Sequence, residues 1–138
     1  MTPTVTAVML AYGAEEWLPE AVHAVLASTG VQLDVVVVDN GCTSDAVDVV
    51  KGLPGVRVLT PDENTGYSGG CVLGAAEATG DYLAFVNSDA TVAPDAVAAM
   101  VRVAAEDQVG LAMGSIRLAD QPELMNTAGN PLHYAGLV

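Results

Sequence analysis

The chain has 138 residues, 51% of them hydrophobic, and a mean hydropathy of +0.42, enough for one domain with a buried core and too apolar for disorder. Seventeen acidic residues against four basic ones give a formal charge of −13, which excludes nucleic-acid binding through a basic patch. A phosphate ligand would need a helix amino terminus, backbone N–H groups or a bound cation to approach such a chain.

No apolar run reaches the ~20 residues that span a bilayer. Met1-Thr2-Pro3-Thr4 has neither the basic nor the apolar part of a signal peptide. The expected location is cytoplasmic, with a peripheral place at the inner face of the membrane left open for a full-length protein.

Val5 to Leu10 is apolar or small and reads as a first buried strand, broken by Ala11-Tyr12-Gly13. From Ala14 the period becomes helical, with Trp17, Leu18, Ala21, Val22, Val25 and Leu26 on one stripe. Glu15, Glu16 and Glu20 fall in the opening turns, where acidic residues suit the helix dipole. Ser28-Thr29-Gly30 ends the helix. His23 has no partner for chemistry and is expected on the surface.

Val35 to Val38 is β-branched throughout, as in a strand covered on both faces. Turn formers follow from Asp39 to Asp45, where Thr43 or Ser44 can cap a short helix running to about Lys51. Gly52-Leu53-Pro54-Gly55 is a turn, and Val56 to Leu59 a third strand from which Arg57 is expected to leave the core. After a polar loop, Asn64 to Gly70 opens a glycine-rich helix that Gly80 is expected to stop. Its glycines let a ligand or another backbone come close; for Gly74 the expected reason is packing on the sheet. The segment is no P-loop, since no Gly-Lys-Ser/Thr follows, and it is not GxGxxG after the first strand.

Tyr82 to Val86 is a fourth strand and delivers Asn87-Ser88-Asp89 at its carboxyl end. Alone, those residues read as a turn with Asp89 as a helix cap. At the end of a strand in an open α/β sheet they read as a ligand or cation site. Asp95 to Ala105 is helical and Val109 to Met113 reads as a fifth strand. Residues 1–113 are therefore expected to form the α/β domain, and 114–138 an irregular region with one strand around Ile116 to Leu118. The alternation predicts a three-layer α/β/α fold: a mostly parallel sheet with helices on both faces. Its strand ends carry Ala11-Tyr12-Gly13, Asp39-Asn40 and Asn87-Ser88-Asp89. Cys42 and Cys71 form no CxxC pattern and are expected as free thiols; two histidines without ligand spacing make zinc unexpected.

Four segments in register resemble the amino-terminal half of family 2 glycosyltransferases, inverting enzymes of the GT-A fold. Val8 to Gly13 is similar to that family's first strand and Thr-x-Tyr-Asn turn. Val36 to Asp45 is similar to its Val-Val-Asp-Asn-Gly-Ser-Thr-Asp segment, and Glu63 to Gly70 to its Glu-Asn-x-Gly-Phe-x-Gly-Gly. Thr79 to Asp89 is similar to the run leading into its DxD motif. The later Thr127 to His133 is similar to rhamnosyltransferase-like members. Departures are Leu10 for Thr, Gly13 for Asn, Cys42 for Ser, Val72 for Asn, and Asn87 for the first Asp of DxD.

The resemblance implies a Rossmann-like GT-A fold and sugar transfer from a nucleotide-diphospho-sugar to an acceptor hydroxyl. It implies that Ala11, Tyr12 and Gly13 flank the nucleobase, and that Asp39, an acceptor-only carboxylate, takes an N–H of uracil, thymine or guanine. Asn64, Gly66, Gly69 and Gly70 would line the donor. Asn87, Ser88 and Asp89 would form the diphosphate corner, with Asp89, and Asn87 more weakly, holding Mg2+ or Mn2+. Such hard cations take oxygen ligands and neutralise a leaving diphosphate.

The family's catalytic base and acceptor surface lie in a second half. Asp120 and Glu123 match no base motif, so the base is expected beyond Val138 and the chain is expected to stop before that half. The expected partners are a dTDP-, UDP- or GDP-sugar and a saccharide or lipid-linked acceptor of cell-wall or polysaccharide synthesis, with the Gly-Asn-Pro-Leu-His likeness leaning toward dTDP-rhamnose. Apolar surface left uncovered would favour homo-oligomers. The alternative is a non-catalytic nucleotide-sugar-binding module or assembly partner. A sugar nucleotidylyltransferase would want a basic residue between Ala11 and Glu16, and none stands there.

Overall fold

The valine-rich stretches become the middle of a parallel sheet. In the computed structural model, which describes residues 1–127, β1 (Thr4–Gly13) pairs with β2 (Gln32–Cys42) from Thr4↔Gln32 to Ala11↔Asp39. β3 (Val56–Leu59) adds to the outer side of β2, and β4 (Tyr82–Phe85) adds to β1. The order is β3-β2-β1-β4, with every pair parallel.

Both faces of the central strands are buried, as their unbroken apolar sequence requires. Ala7, Met9, Ala11, Val35 and Val37 face α1 (Leu18–Leu26) and α2 (Ala46–Val50), which contribute Leu18, Ala21, Val22, Val25, Ala46, Val47 and Val50. Val8, Val36 and Val38 face the other way, toward α3 (Gly66–Ala76). Each fully buried valine contributes about 1.5–3 kcal/mol of transfer free energy, an upper bound because unfolded chains already hide some surface. Gly74 decides how close α3 can lie: a Cβ there would sit 2.3 Å from Val8 Cγ1 and 3.2 Å from Val38 Cγ2. The expected three layers are thus present, and the packing role of Gly74 is observed.

The amino-terminal end of the sheet is closed by polar groups that satisfy one another. The buried Thr6 hydroxyl donates to Asp34 Oδ1 at 2.8 Å and accepts the N–H groups of Thr79 and Gly80 at 3.1 and 3.0 Å. Asp34 also binds Arg57 at 2.8 Å, so Arg57 leaves the core as its position predicts. Thr4 and Asp81 exchange hydrogen bonds at 2.7 and 2.9 Å. Together these contacts fix the start of β4 beside β1.

Several boundaries move. α3 ends at Ala76, so Gly80 is not its stop; a Cβ on Gly80 would lie 2.7 Å from the Thr6 nitrogen, and glycine is needed for that backbone crossing. α1 begins at Leu18, which puts Glu15 and Glu16 before the helix and leaves Trp17 exposed at its N-cap. Val109 to Met113 forms no strand: it pairs with no other strand, Leu111 and Met113 are exposed, and an apolar run has no ladder without a partner.

The described residues fall into two compact units, Met1–Ala98 and one beginning at Ala99, with α4 (Ala96–Ala104) crossing the division. In the second unit, β5 (Ile116–Arg117) pairs antiparallel with β6 (Met125–Thr127), a strand the sequence left irregular. The Arg117 guanidinium donates to the carbonyl of Glu123 at 3.2 Å and so ties the connection between them. The rhamnosyltransferase-like likeness beyond Thr127 lies outside the described residues. No helix among them is long and apolar enough to cross a membrane.

Candidate functional site

β1 and β2 both continue past the core, and their extensions shape one end of a site. The register shifts between Ala11 and Gly13, and Gly13 and Gly41 have φ of 67° and 107°. Glycine enters that region without strain, and Asn is the other residue that visits it, so Gly13 suits the turn as the Asn of the resembled motif would. The Asp39 Oδ1 accepts the N–H groups of Cys42 and Gly41 at 2.8 and 3.3 Å. Its Oδ2 has no hydrogen-bond partner among the described residues. The Tyr12 ring, 66% exposed, lies over Gly41, where a Cβ would be 3.7 Å from Tyr12 Cδ2. Tyr12, Asp39, Thr60, Asp62 and Asn64 line an open cleft of about 430 Å³. A second hollow, about 490 Å³, is lined by Thr4, Gln32, Arg57 and Gly80 at the opposite end of the strands. There Arg57 is already paired with Asp34 and the Thr4 hydroxyl with Asp81, so the cleft at the carboxyl ends is the better candidate for a ligand.

Asn40 attaches the glycine-rich loop to this cleft. It is buried, 4% exposed, and uses both ends of its amide: Oδ1 accepts Thr65 N–H at 2.9 Å and Thr65 O–H at 3.2 Å, while Nδ2 donates to the Gly66 carbonyl at 3.1 Å. Asn64 Oδ1 accepts Gly66 N–H at 2.8 Å and completes the turn into α3. Gly69 and Gly70 lie beyond it. A Cβ would be 2.9 Å from Thr65 Cβ at Gly69 and 2.6 Å from Leu10 Cδ2 at Gly70, so both positions are fixed first by packing. Ala11 is fully buried and can offer a ligand only its backbone.

The end of β4 completes the arrangement. Val86 N–H still donates to the Val8 carbonyl at 3.1 Å, after which Asn87, Ser88 and Asp89 turn out of the sheet. The Tyr67 hydroxyl donates to Asn87 Oδ1 at 3.2 Å, which sets the amino terminus of α3 beside the end of β4. Desolvation pushes the Tyr67 phenol above its usual value, and Cys71 beside it pushes the same way. Ser88 Oγ donates to Glu15 Oε1 at 2.9 Å, and the same oxygen accepts Tyr12 N–H at 3.1 Å. The Asp89 carboxylate is exposed and makes no hydrogen bond among the described residues. It caps nothing, since α4 begins only at Ala96.

Glu15 is the residue that sequence reasoning missed as part of the site; Asn40 stood among the strand ends read from sequence, without its hold on the Thr65–Gly66 loop. Glu15 passed for a helix-dipole acid. The available signal for Glu15 was its place in a short irregular stretch between a strand end and a helix. No three His, Cys, Asp or Glu gather into a cation cage among the described residues. Asp89 offers one free carboxylate, which fits a hard cation that takes one or two carboxylates and completes its shell with phosphates and water.

A parallel sheet ordered β3-β2-β1-β4, with helices on both faces and a polar cleft at its carboxyl ends, is a Rossmann-like arrangement, and its likeness to a solved mannosyltransferase makes it the GT-A fold. The pattern described as "Glycosyl transferase family 2" matches residues 6–130, and the chain belongs to that family. It is 34% identical over 135 residues to the succinoglycan biosynthesis protein ExoO of Rhizobium meliloti (strain 1021), covering 88% of this chain and 38% of ExoO. It is 26% identical to the glycosyltransferase GlyA of Streptococcus pneumoniae serotype 4, covering 88% of this chain and 18% of GlyA. Among solved structures, the mannosyltransferase PcManGT from Pyrobaculum calidifontis, in complex with GDP-Man and Mn2+, superposes with a TM-score of 0.72 at 24% identity, over 80% of this chain and 34% of that one. TarS of S. aureus gives 0.65 at 19%, over 73% and 19%. At those identities the structures speak to the fold, and the chain spans less than two fifths of each of these proteins.

Proposed function

We propose that this chain supplies the donor half of an inverting, divalent-metal-dependent sugar transfer from a nucleotide-diphospho-sugar to an acceptor hydroxyl. The observation that carries this reading is the cleft in which the exposed Tyr12 ring stands beside the free Oδ2 of Asp39. A base can stack on that ring while one of its N–H groups meets a carboxylate that only accepts. Asn40 holds the Asn64–Gly66 loop at the rim, and the amino terminus of α3, whose dipole favours an anion, lies beside Asn87. Asp89, with Asn87 as the weaker candidate, would hold Mg2+ or Mn2+; the cation supplies charge neutralisation to the departing diphosphate.

In the transfer, the acceptor oxygen bonds to the anomeric carbon as the carbon–oxygen bond to the diphosphate breaks, and a base takes the hydroxyl proton. No residue of this chain is assigned as that base. The acceptor we infer is a saccharide or a lipid-linked acceptor; ExoO, a relative named for succinoglycan biosynthesis, supports a polysaccharide product. The test is titration of the chain with UDP-, dTDP- and GDP-sugars, with Mn2+ present or chelated. Binding of at least one donor, tighter with Mn2+, is expected; no binding in any metal state would overturn the reading.

A further inference from the structure

Glu15 joins three strand ends that lie far apart in sequence. Its Oε1 accepts Tyr12 N–H at 3.1 Å, just after the buried part of β1, and Ser88 O–H at 2.9 Å, beyond β4. Its carbonyl accepts the Ser44 hydroxyl at 2.7 Å, beyond β2. The Gly13 carbonyl accepts both Glu15 N–H at 3.1 Å and Thr43 N–H at 2.7 Å, so the backbone around Glu15 is held from the same two sides. One half-buried carboxylate oxygen therefore links the residue that lines the cleft to the residue next to Asp89.

We propose that Glu15 is a positioning residue that sets the spacing between the nucleobase end of the site, Tyr12 and Asp39, and its diphosphate end, Ser88 and Asp89. The inference rests on the donor-site reading above and adds to it a specific device. A carboxylate suits this place because one oxygen takes two hydrogen bonds and brings no donor to compete with them. Bonds to an ionised acceptor are also the stronger kind. A ligand held at two points gains affinity only when the points keep the separation that the ligand spans. Without Glu15 the ends are still joined through the β1–β4 ladder and through Tyr67 and Asn87, but among the described residues no other side chain bonds both Tyr12 and Ser88 directly.

The test measures uridine, thymidine and guanosine, and their diphosphates with Mn2+, against wild type, Glu15→Ala, Glu15→Gln, Ser88→Ala and the Glu15→Ala/Ser88→Ala double variant. The quantity read is the ratio of diphosphate affinity to the affinity of the same nucleoside. Glu15→Ala and Ser88→Ala are each expected to lower that ratio about tenfold. The double variant falls no further than the lower single variant, because both cut one bridge. Glu15→Gln keeps an acceptor oxygen and stays within about threefold of wild type. A purely structural role would lower both affinities together and leave the ratio unchanged, which would overturn the inference. So would additive losses, or a Glu15→Gln ratio as low as that of Glu15→Ala. These three outcomes leave the donor-site reading standing; a wild type that binds no diphosphate would overturn that reading and this inference with it.

Discussion

Asn40 donates from Nδ2 to the Gly66 carbonyl at 3.1 Å, so the residue beside Asp39 on β2 also carries the loop that opens α3. Removing this amide leaves Thr65 N–H and the Gly66 carbonyl without their partner in a sheltered place. Asn40→Ala is expected to cost about 1–3 kcal/mol of stability, read as a lower urea midpoint, and to weaken donor binding as the loop loosens. An unchanged midpoint would mean that water replaces the amide without loss.

The approach of α3 to the sheet is tested by two glycines. At Gly74 a methyl group would strike Val8, so Gly74→Ala is expected to destabilise by about 1–3 kcal/mol. At Gly52 nothing lies within 4 Å, so Gly52→Ala is expected to stay within about 0.5 kcal/mol of wild type. Equal denaturation midpoints for the two variants would contradict the close contact of α3 with β1.

Asp39 and Asp89 are expected to fail in different ways. Asp39→Ala removes the free Oδ2 and the turn contacts to Gly41 and Cys42. It should weaken nucleoside diphosphates about tenfold whether or not Mn2+ is present, and whatever the sugar. Asp89→Ala should remove the Mn2+-dependent gain and leave metal-free binding in place. Calorimetry with and without a chelator separates the two; a Mn2+ gain that survives Asp89→Ala would take the cation away from this residue.

Tyr67 gives a pH signature. Its folded pKa is raised above the usual 10.0, so the fold favours the neutral phenol. The associated stability is fully present below the unfolded value and is lost as pH rises through the raised folded value. Neutral and mildly alkaline solutions should therefore show no change from this group. Above that range phenolate absorbance should reveal a late-ionising tyrosine that Tyr67→Phe removes. Retention of the late step in Tyr67→Phe would assign it to another tyrosine.

What the sequence disclosed follows from what burial enforces. Val35 to Val38 was legible as a strand because a sheet covered on both sides leaves an unbroken apolar run; Tyr82 to Phe85 reads the same way in sequence, although β4 is an edge strand with Leu83 and Phe85 exposed. The polar strand ends were legible because such runs stop abruptly at Asp39 and Asn87. Val109 to Met113 has the same apolar look without a partner strand, and composition alone cannot supply one. Gly80 passed for a helix stop because a glycine required by a backbone crossing looks the same in sequence. Glu15 and Asn40 were opaque for a related reason: their roles lie in contacts to residues 73 and 26 positions away, which no local pattern encodes.

The placement of β4 has a consequence for the order in which the molecule assembles. β1, β2 and β3 are neighbours both in sequence and in the sheet, so the cleft around Tyr12 and Asp39 can form from short loop closures. β4 must return across β1 and pair 77 residues away, with Thr4 and Asp81 meeting at the seam. Long closures are entropically late events in folding. The nucleobase end of the site is thus built on early structure and the Asp89 end on late structure. Slowing the docking of β4, for instance by weakening the Thr4–Asp81 or Thr6–Gly80 contacts, should produce a refolding phase in which the first end is present before the second.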